Sequence, residues 1–229
     1  MDIVITTHCN LKCSKCANLL HLYTKPYHIN IDQLKQDIYK VYNLVKPNHF
    51  NVLGGETFLY PDLIDLLLYI QEFPVEDIYV YTNGTINLDL SLLKNKLHSK
   101  VKFYIQNYPK SIAKDQIVAQ CKLYHFNYEV LTYAWTDYGD LEWCDNGTDR
   151  FRLCQRKCWT LLNSKLYPCP RAAHADNLNK IPLTSNHYVD LRRDNIVEQY
   201  KNFCNMTELP TCSYCFIGSN KDQEISRGT

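Results

Sequence analysis

Asp2-Ile-Val-Ile-Thr-Thr-His-Cys9-Asn-Leu-Lys-Cys13-Ser-Lys-Cys16 carries an apolar run directly into three cysteines. Ile3–Thr7 is rich in β-branched residues and reads as a strand, so the C-x₃-C-x₂-C spacing falls in the loop that leaves it. Working outward, Phe50–Leu53, Ile78–Thr82, Val101–Gln106 and Tyr128–Tyr133 read as further strands. Between them, Leu34, Ile38, Val41, Tyr42 and Val45 recur at helical spacing, with Asn30 or Asp32 as N-cap. Leu63, Leu66, Leu67 and Ile70 make a second helical stripe, and Leu88–Leu97 and Ile112–Tyr124 supply two more. Strand–helix alternation of this kind predicts a parallel sheet with right-handed crossovers. An open doubly wound sheet and a barrel both satisfy it.

The pattern changes near Trp135. Asp137-Tyr-Gly-Asp140 and Asp145-Asn-Gly147 are polar and turn-rich, which places a boundary between residues 136 and 150. Trp159–Leu162 and Lys165–Cys169 flank Asn163-Ser164, the pattern of a β-hairpin. A helix is expected over Asn195–Cys204 and a polar tail after Gly218. The chain thus divides into an α/β unit over residues 1–140 and a small cysteine-rich β-hairpin/helix unit over 141–229.

At 229 residues with a net charge of +1, the chain has no basic field for nucleic acid. It has no apolar run long enough for a membrane span and no signal sequence, so no membrane partner and a cytoplasmic location are expected. Eleven cysteines are the outlying figure. A reducing compartment disfavours disulfides, and the cysteines gather toward both ends of the chain, with Cys121 and Cys144 between. Metal or cluster ligation accounts for that layout.

Cys9, Cys13 and Cys16 offer three thiolates where a [4Fe–4S] cluster normally takes four, which would leave one iron open for a ligand. Zinc is the alternative, though structural zinc usually wants two C-x₂-C pairs or Cys/His pairs. Gly54-Gly55-Glu56 closes the second strand, Thr82-Asn83-Gly84 the third and Gln106-Asn107-Tyr108 the fourth, all on the rim that carries the cysteine loop. Glycines permit close backbone approach, whereas a lone Asn83 would as readily be a turn residue.

Taken together, these residues resemble the radical S-adenosylmethionine (SAM) superfamily over about residues 1–135. The resemblance implies a partial (β/α)5-6 TIM-like barrel whose triplet holds a SAM-binding [4Fe–4S] cluster. It implies SAM contacts from Gly54, Gly55 and Glu56, from Thr82 and Asn83, and from Gln106 and Asn107. SAM chelates the open iron in that family and is cleaved reductively to a 5′-deoxyadenosyl radical. One position departs from the pattern: Lys15 stands where an aromatic residue near adenine is usual.

Cys154, Cys158, Cys169, Cys212 and Cys215 form a second group. With Asn163-Ser164 as a two-residue turn, Cys158 and Cys169 lie across the hairpin from one another. Four thiolates also suit zinc. Leu166-Tyr-Pro-Cys169-Pro followed by C-x₂-C resembles the twitch domain, a shortened relative of SPASM, which holds one auxiliary [4Fe–4S] cluster. Five cysteines for four positions leave Cys154 or Cys158 surplus. Cys121, Cys144 and Cys204 read as structural or incidental.

The resemblance implies hydrogen abstraction from a small polar substrate, with dehydrogenation through the auxiliary cluster and an electron donor such as flavodoxin or ferredoxin. The build is similar to the small alcohol-oxidising members, among them the butirosin-pathway dehydrogenase, 2-deoxy-scyllo-inosamine dehydrogenase. A sugar or aminocyclitol is therefore expected. Peptide modification, by thioether formation or epimerisation, is the rival; the chain starts at its first strand, which leaves no room for a leader-binding domain and favours the small substrate. Outside enzymes, a non-catalytic iron–sulfur or zinc module is the alternative. Arg171 and Arg152 are candidate substrate contacts, Asp137, Asp140 or Glu142 a candidate general base, and Tyr108 and Trp135 candidate wall residues.

Overall fold

β1 (Asp2–Thr6) is buried along its whole length, with the apolar Ile3-Val4-Ile5 at its centre covered on both faces. It lies at the centre of the computed structural model, which describes residues 1–154 and 158–226. α1 (Ile31–Val45) follows, and Asn30 caps it by accepting a hydrogen bond from Gln33 N. Its inward stripe of Leu34, Ile38 and Val41 is fully packed, each side chain stabilising the fold by about 1.5–3 kcal/mol. β2 (His49–Gly54), α2 (Leu63–Ile70), β3 (Asp77–Thr82), β4 (Val101–Gln106), α3 (Lys114–Tyr124) and β5 (Asn127–Leu131) complete the alternation.

All four pairings among β1–β5 are parallel, and the strands stand in the order β5-β4-β3-β2-β1. Within β1–β5 this order runs one way with no switch point, which is consistent with the partial barrel. The helix expected over Leu88–Leu97 is reduced to a single 3₁₀ turn at Leu90–Leu93. Asp89 caps Ser91 N and Asn95 turns left-handed at φ 58°, so the segment ends after one turn with Leu90 and Leu93 buried. The fifth strand also stops at Leu131, two residues short of the expected end.

The second half contributes β6 (Trp135–Thr136), α4 (Thr148–Leu153), β7 (Thr160–Leu162), β8 (Lys165–Tyr167), α5 (Pro170–Asn177), β9 (Val189–Asp190), α6 (Ile196–Cys204) and β10 (Glu224–Ile225). β7 and β8 form the expected hairpin, with Asn163 and Ser164 at φ 51° and 58° in its turn. The hairpin does not stand apart: β7 pairs in parallel with β1, so one eight-stranded sheet runs β5-β4-β3-β2-β1-β7-β8-β9. Ser164 Oγ donates to the buried Asp37 of α1 at 2.8 Å, which pins the hairpin turn to the first helix. The tail is not wholly free either, since β10 pairs with β6. Among the described residues no helix is long and apolar enough to cross a membrane.

Candidate active site

Parallel strands deliver their loops to one rim, and here that rim encloses a cavity of about 400 Å³. Cys9, Cys13 and Cys16 line it together with Gly54, Gly55, Thr82, Asn83 and Gln106. Tyr81, Tyr108, Tyr133, Trp135 and Tyr138 form its aromatic wall. Tyr108 and Trp135 meet edge to face with ring centroids 5.3 Å apart.

The glycine pair has a steric cause. A Cβ at Gly54 would lie 2.7 Å from Thr6 Cγ2, and one at Gly55 would lie 2.8 Å from Cys9 Cβ. The end of β2 therefore supports the cysteine loop by direct backbone contact. Gly55 N donates to Thr6 O and Glu56 N to His8 O, which continues strand-like pairing past the end of β1.

Glu56 is fully buried and does not line the cavity. Its carboxylate accepts from Phe58 N at 2.9 Å, Thr82 Oγ1 at 2.7 Å and Asn83 N at 2.6 Å, tying the end of β2 to that of β3. Burial pushes its pKa up, and these three donors oppose that shift. Asn83 Nδ2 in turn donates to Asn10 Oδ1 at 3.0 Å and lies 3.8 Å from Cys9 Sγ. Ser111, which no sequence pattern singled out, donates to Asn83 O and Gln106 O and links β3 to β4. Asn107 is exposed, with its carboxamide on Lys114 rather than in the cavity.

All three cavity thiols are free. Burial pushes Cys9 up to about 11 and raises Cys13 and Cys16 as well, so a cation must displace their protons on binding. Among the described residues no three His, Cys, Asp or Glu side chains converge on a single metal-ion position. Cys9, Cys13 and Cys16 nonetheless line one cavity, and cubane ligands are spread over separate irons. The donor set fits a cluster.

The superfamily model described as "Radical SAM superfamily" matches residues 3–107, the span from β1 to just beyond β4. The likeness to the radical SAM superfamily thus covers the part of the sheet that carries Cys9, Cys13 and Cys16. Among solved structures it is similar to SuiB of Streptococcus suis bound to S-adenosylmethionine, at 17% identity and a TM-score of 0.42. That match covers 56% of this chain and 32% of SuiB, so the chain spans about a third of that relative's length. It is also similar to BtrN in complex with AdoMet and 2-DOIA, at 14% identity and a TM-score of 0.57, over 93% of this chain and 91% of BtrN. At that identity the BtrN likeness is one of fold. No curated protein matches the chain.

Beside the first cavity lies a second one of about 100 Å³, lined by Cys154, Cys158, Cys169, Cys212 and Cys215. All five cysteines of the second sequence group thus meet in one place. Cys158 and Cys169 continue the hairpin register two residues beyond the Thr160–Tyr167 pair. Cys169 is the N-cap of α5, its sulfur accepting from Ala172 N at 3.4 Å. Burial pushes its thiol up to about 12, with the Cys215, Cys154 and Cys158 thiols adding to the rise. Burial likewise raises Cys212 and Cys215. These thiols too are free and half-buried around one space, a donor set that fits a cluster. Cys121, Cys144 and Cys204 line neither cavity. Ala17, next to Cys16, and Tyr138 line both cavities and so form a shared wall.

The two expected catalytic side chains lie elsewhere than the first cavity. Asp137 is buried, accepts from Gly139 N at 2.8 Å, and pairs with Lys15 Nζ at 3.4 Å. Lys15 also reaches Asp140 at 3.1 Å. The residue that departs from the family pattern therefore clamps the cysteine loop to the 137–140 turn, and a carboxylate so engaged is a poor base. Arg171 lines the second cavity, where α5 buries it, and its Nη2 donates to Gly139 O at 2.6 Å and Tyr214 O at 3.2 Å. Burial lowers its pKa, opposed by the Cys215 and Cys169 thiols and by Asp140 and Asp137. Asp140, Glu142 and Arg152 line neither cavity.

Proposed function

We propose that this radical SAM enzyme dehydrogenates a small hydroxylated substrate, a sugar or aminocyclitol. The observation that carries this reading is the pair of thiol-lined cavities separated by the Ala17–Tyr138 wall. Cys9, Cys13 and Cys16 would hold the SAM-binding cluster, and four of the five cysteines behind the wall an auxiliary one. With both bound, the cofactors supply reductive SAM cleavage, hydrogen-atom abstraction and uptake of one electron.

The chain's own residues position and enclose. Gly54 and Gly55 leave the cavity floor bare of side chains, and Asn83 and Gln106 line it with amide groups beside the thiols. The tyrosines and Trp135 offer flat apolar faces to a ring's C–H surface and exclude water from a radical intermediate. Ala17 and Tyr138, which line both cavities, would stand between the substrate and an auxiliary cluster able to take up the electron released as an alcohol becomes a carbonyl. BtrN, the dehydrogenase whose build this chain shares and whose crystal structure holds AdoMet and 2-DOIA, supports the substrate class by analogy of fold alone. A reduced flavodoxin or ferredoxin is the matching donor, and a reducing cytoplasm the matching compartment for eleven free thiols.

Anaerobic reconstitution tests the reading. About eight irons per chain are expected, falling to about four in the Cys212→Ala/Cys215→Ala variant and equally in a Cys9→Ala/Cys13→Ala/Cys16→Ala variant. With dithionite and SAM, 5′-deoxyadenosine should form, and deuterium should pass into it from a labelled aminocyclitol or sugar. Bound zinc without iron would establish the non-catalytic module. Deuterium transfer from peptides alone would establish the peptide-modifying rival.

A further inference from the structure

Among the described residues Arg171 is a buried cation with no carboxylate in hydrogen-bond contact, Asp140 and Asp137 acting on it only from a distance. It is 3% exposed, and among the described residues its hydrogen bonds run from Nη2 to the carbonyls of Gly139 and Tyr214. Nε and Nη1 are buried without a hydrogen-bond partner. The nearby carboxylates, Asp137 and Asp140, are taken by Lys15. Arg150, the other guanidinium at this cavity, differs in being paired with Asp145. Two carbonyl dipoles do not neutralise a full charge, and an uncompensated buried cation is among the costliest features a core can hold. The fold retains it beside five cysteines, whose thiols become thiolates on metal binding.

We infer that Arg171 is the counter-charge of the second cavity and sets the reduction potential of an iron–sulfur cluster held there. This rests on the two-cluster reading above and assigns Arg171 a role toward the cluster in place of the substrate contact expected from sequence. Cluster potentials respond to net charge and to hydrogen bonds at sulfur, and Nε and Nη1 are donors still available for such bonds. Taking up one electron makes the cluster more negative by one unit. A fixed cation therefore stabilises the reduced form more than the oxidised form and raises the potential. That is the direction needed to draw an electron from a substrate radical.

The test is an EPR-monitored redox titration of the reconstituted full-length protein, comparing wild type with Arg171→Lys and Arg171→Met. The two clusters are told apart because SAM perturbs the signal of the first. Arg171→Met should shift the reduction equilibrium of the SAM-insensitive cluster at least tenfold toward the oxidised form, equivalent to about 59 mV for one electron. Arg171→Lys should keep most of the wild-type value, and the SAM-sensitive cluster should not move. If the Met variant loses iron, Arg171→Gln, which keeps donors and drops the charge, is read in the same way. An unchanged midpoint with both clusters loaded overturns the inference and leaves the two-cluster reading standing. So does an equal shift in both clusters, or loss of the second cluster from every variant including Lys. Only about four irons in the wild type would instead remove the two-cluster reading.

Discussion

Gly55 packs so closely under His8 that a Cβ added to it would lie 1.9 Å from the His8 carbonyl oxygen. The obstacle is backbone and cannot rotate away, so Gly55→Ala must push the cysteine loop off the end of β2. Overpacking of this kind costs about 1–3 kcal/mol, and Cys9 is the next residue to move. The variant should therefore lose iron from the first site selectively, with content falling from about eight toward about four per chain. Iron and sulfide analysis beside a thermal melt of the unloaded protein checks it. Full iron loading at wild-type stability would contradict the steric account.

Lys15 and Asp137 offer a second test, because each is the other's reason for being where it is. The Asp137 side chain is 4% exposed, while Lys15 is 35% exposed, which places the pair between a surface and a buried ion pair. Lys15→Met leaves Asp137 buried with Gly139 N as its remaining hydrogen-bond donor and should cost about 1–2 kcal/mol. Asp137→Asn should cost a similar amount, and the double variant less than the sum by about 1 kcal/mol. Urea unfolding of the unloaded chain gives all four corners of the cycle. Additive single effects would show that the clamp carries no coupling.

What the sequence disclosed divides along physical lines. Local period and spacing gave β1 to β4, the cap at Asn30 and the left-handed turn at Asn163-Ser164, since each depends on residues a few positions apart. The eight cysteines of the two groups were legible for the same reason. Pairings across the chain were not. Nothing in Thr160–Leu162 announces that it will lie beside β1 and not form a sheet of its own. Glu56 read as a ligand-facing residue, yet its orientation was decided by donors on β3. Arg171 read as a substrate contact from its place after Cys169-Pro170, and Asp137 as a base from the polar loop joining the two units. Each is buried by elements that only the tertiary fold brings over it.

His174 supplies a prediction about pH whose sign follows from burial. It is fully enclosed on α5, and Asn177 Nδ2 donates to the Tyr23 hydroxyl, leaving that hydroxyl free to donate to His174 Nδ1 at 2.9 Å. Its enclosure favours the neutral ring. Burial drives its pKa from 6.5 down to about 3. A folded-state value depressed below the unfolded one means that the unfolded chain binds the extra proton. Stability is then intact above pH 6.5 and falls as the pH drops from there toward 3. The slope approaches roughly 1.4 kcal/mol per pH unit once the unfolded histidine is protonated. Burial also lowers His28, His49 and His187, so the wild-type acid limb contains several contributions. His174→Gln should lower stability at neutral pH, since it disturbs the Tyr23 contact, yet flatten the limb by about one proton. Urea unfolding of the unloaded protein between pH 7.5 and 5 measures that slope directly. Parallel curves for wild type and variant would mean that His174 is protonated in the folded state and that the enclosure around it admits water.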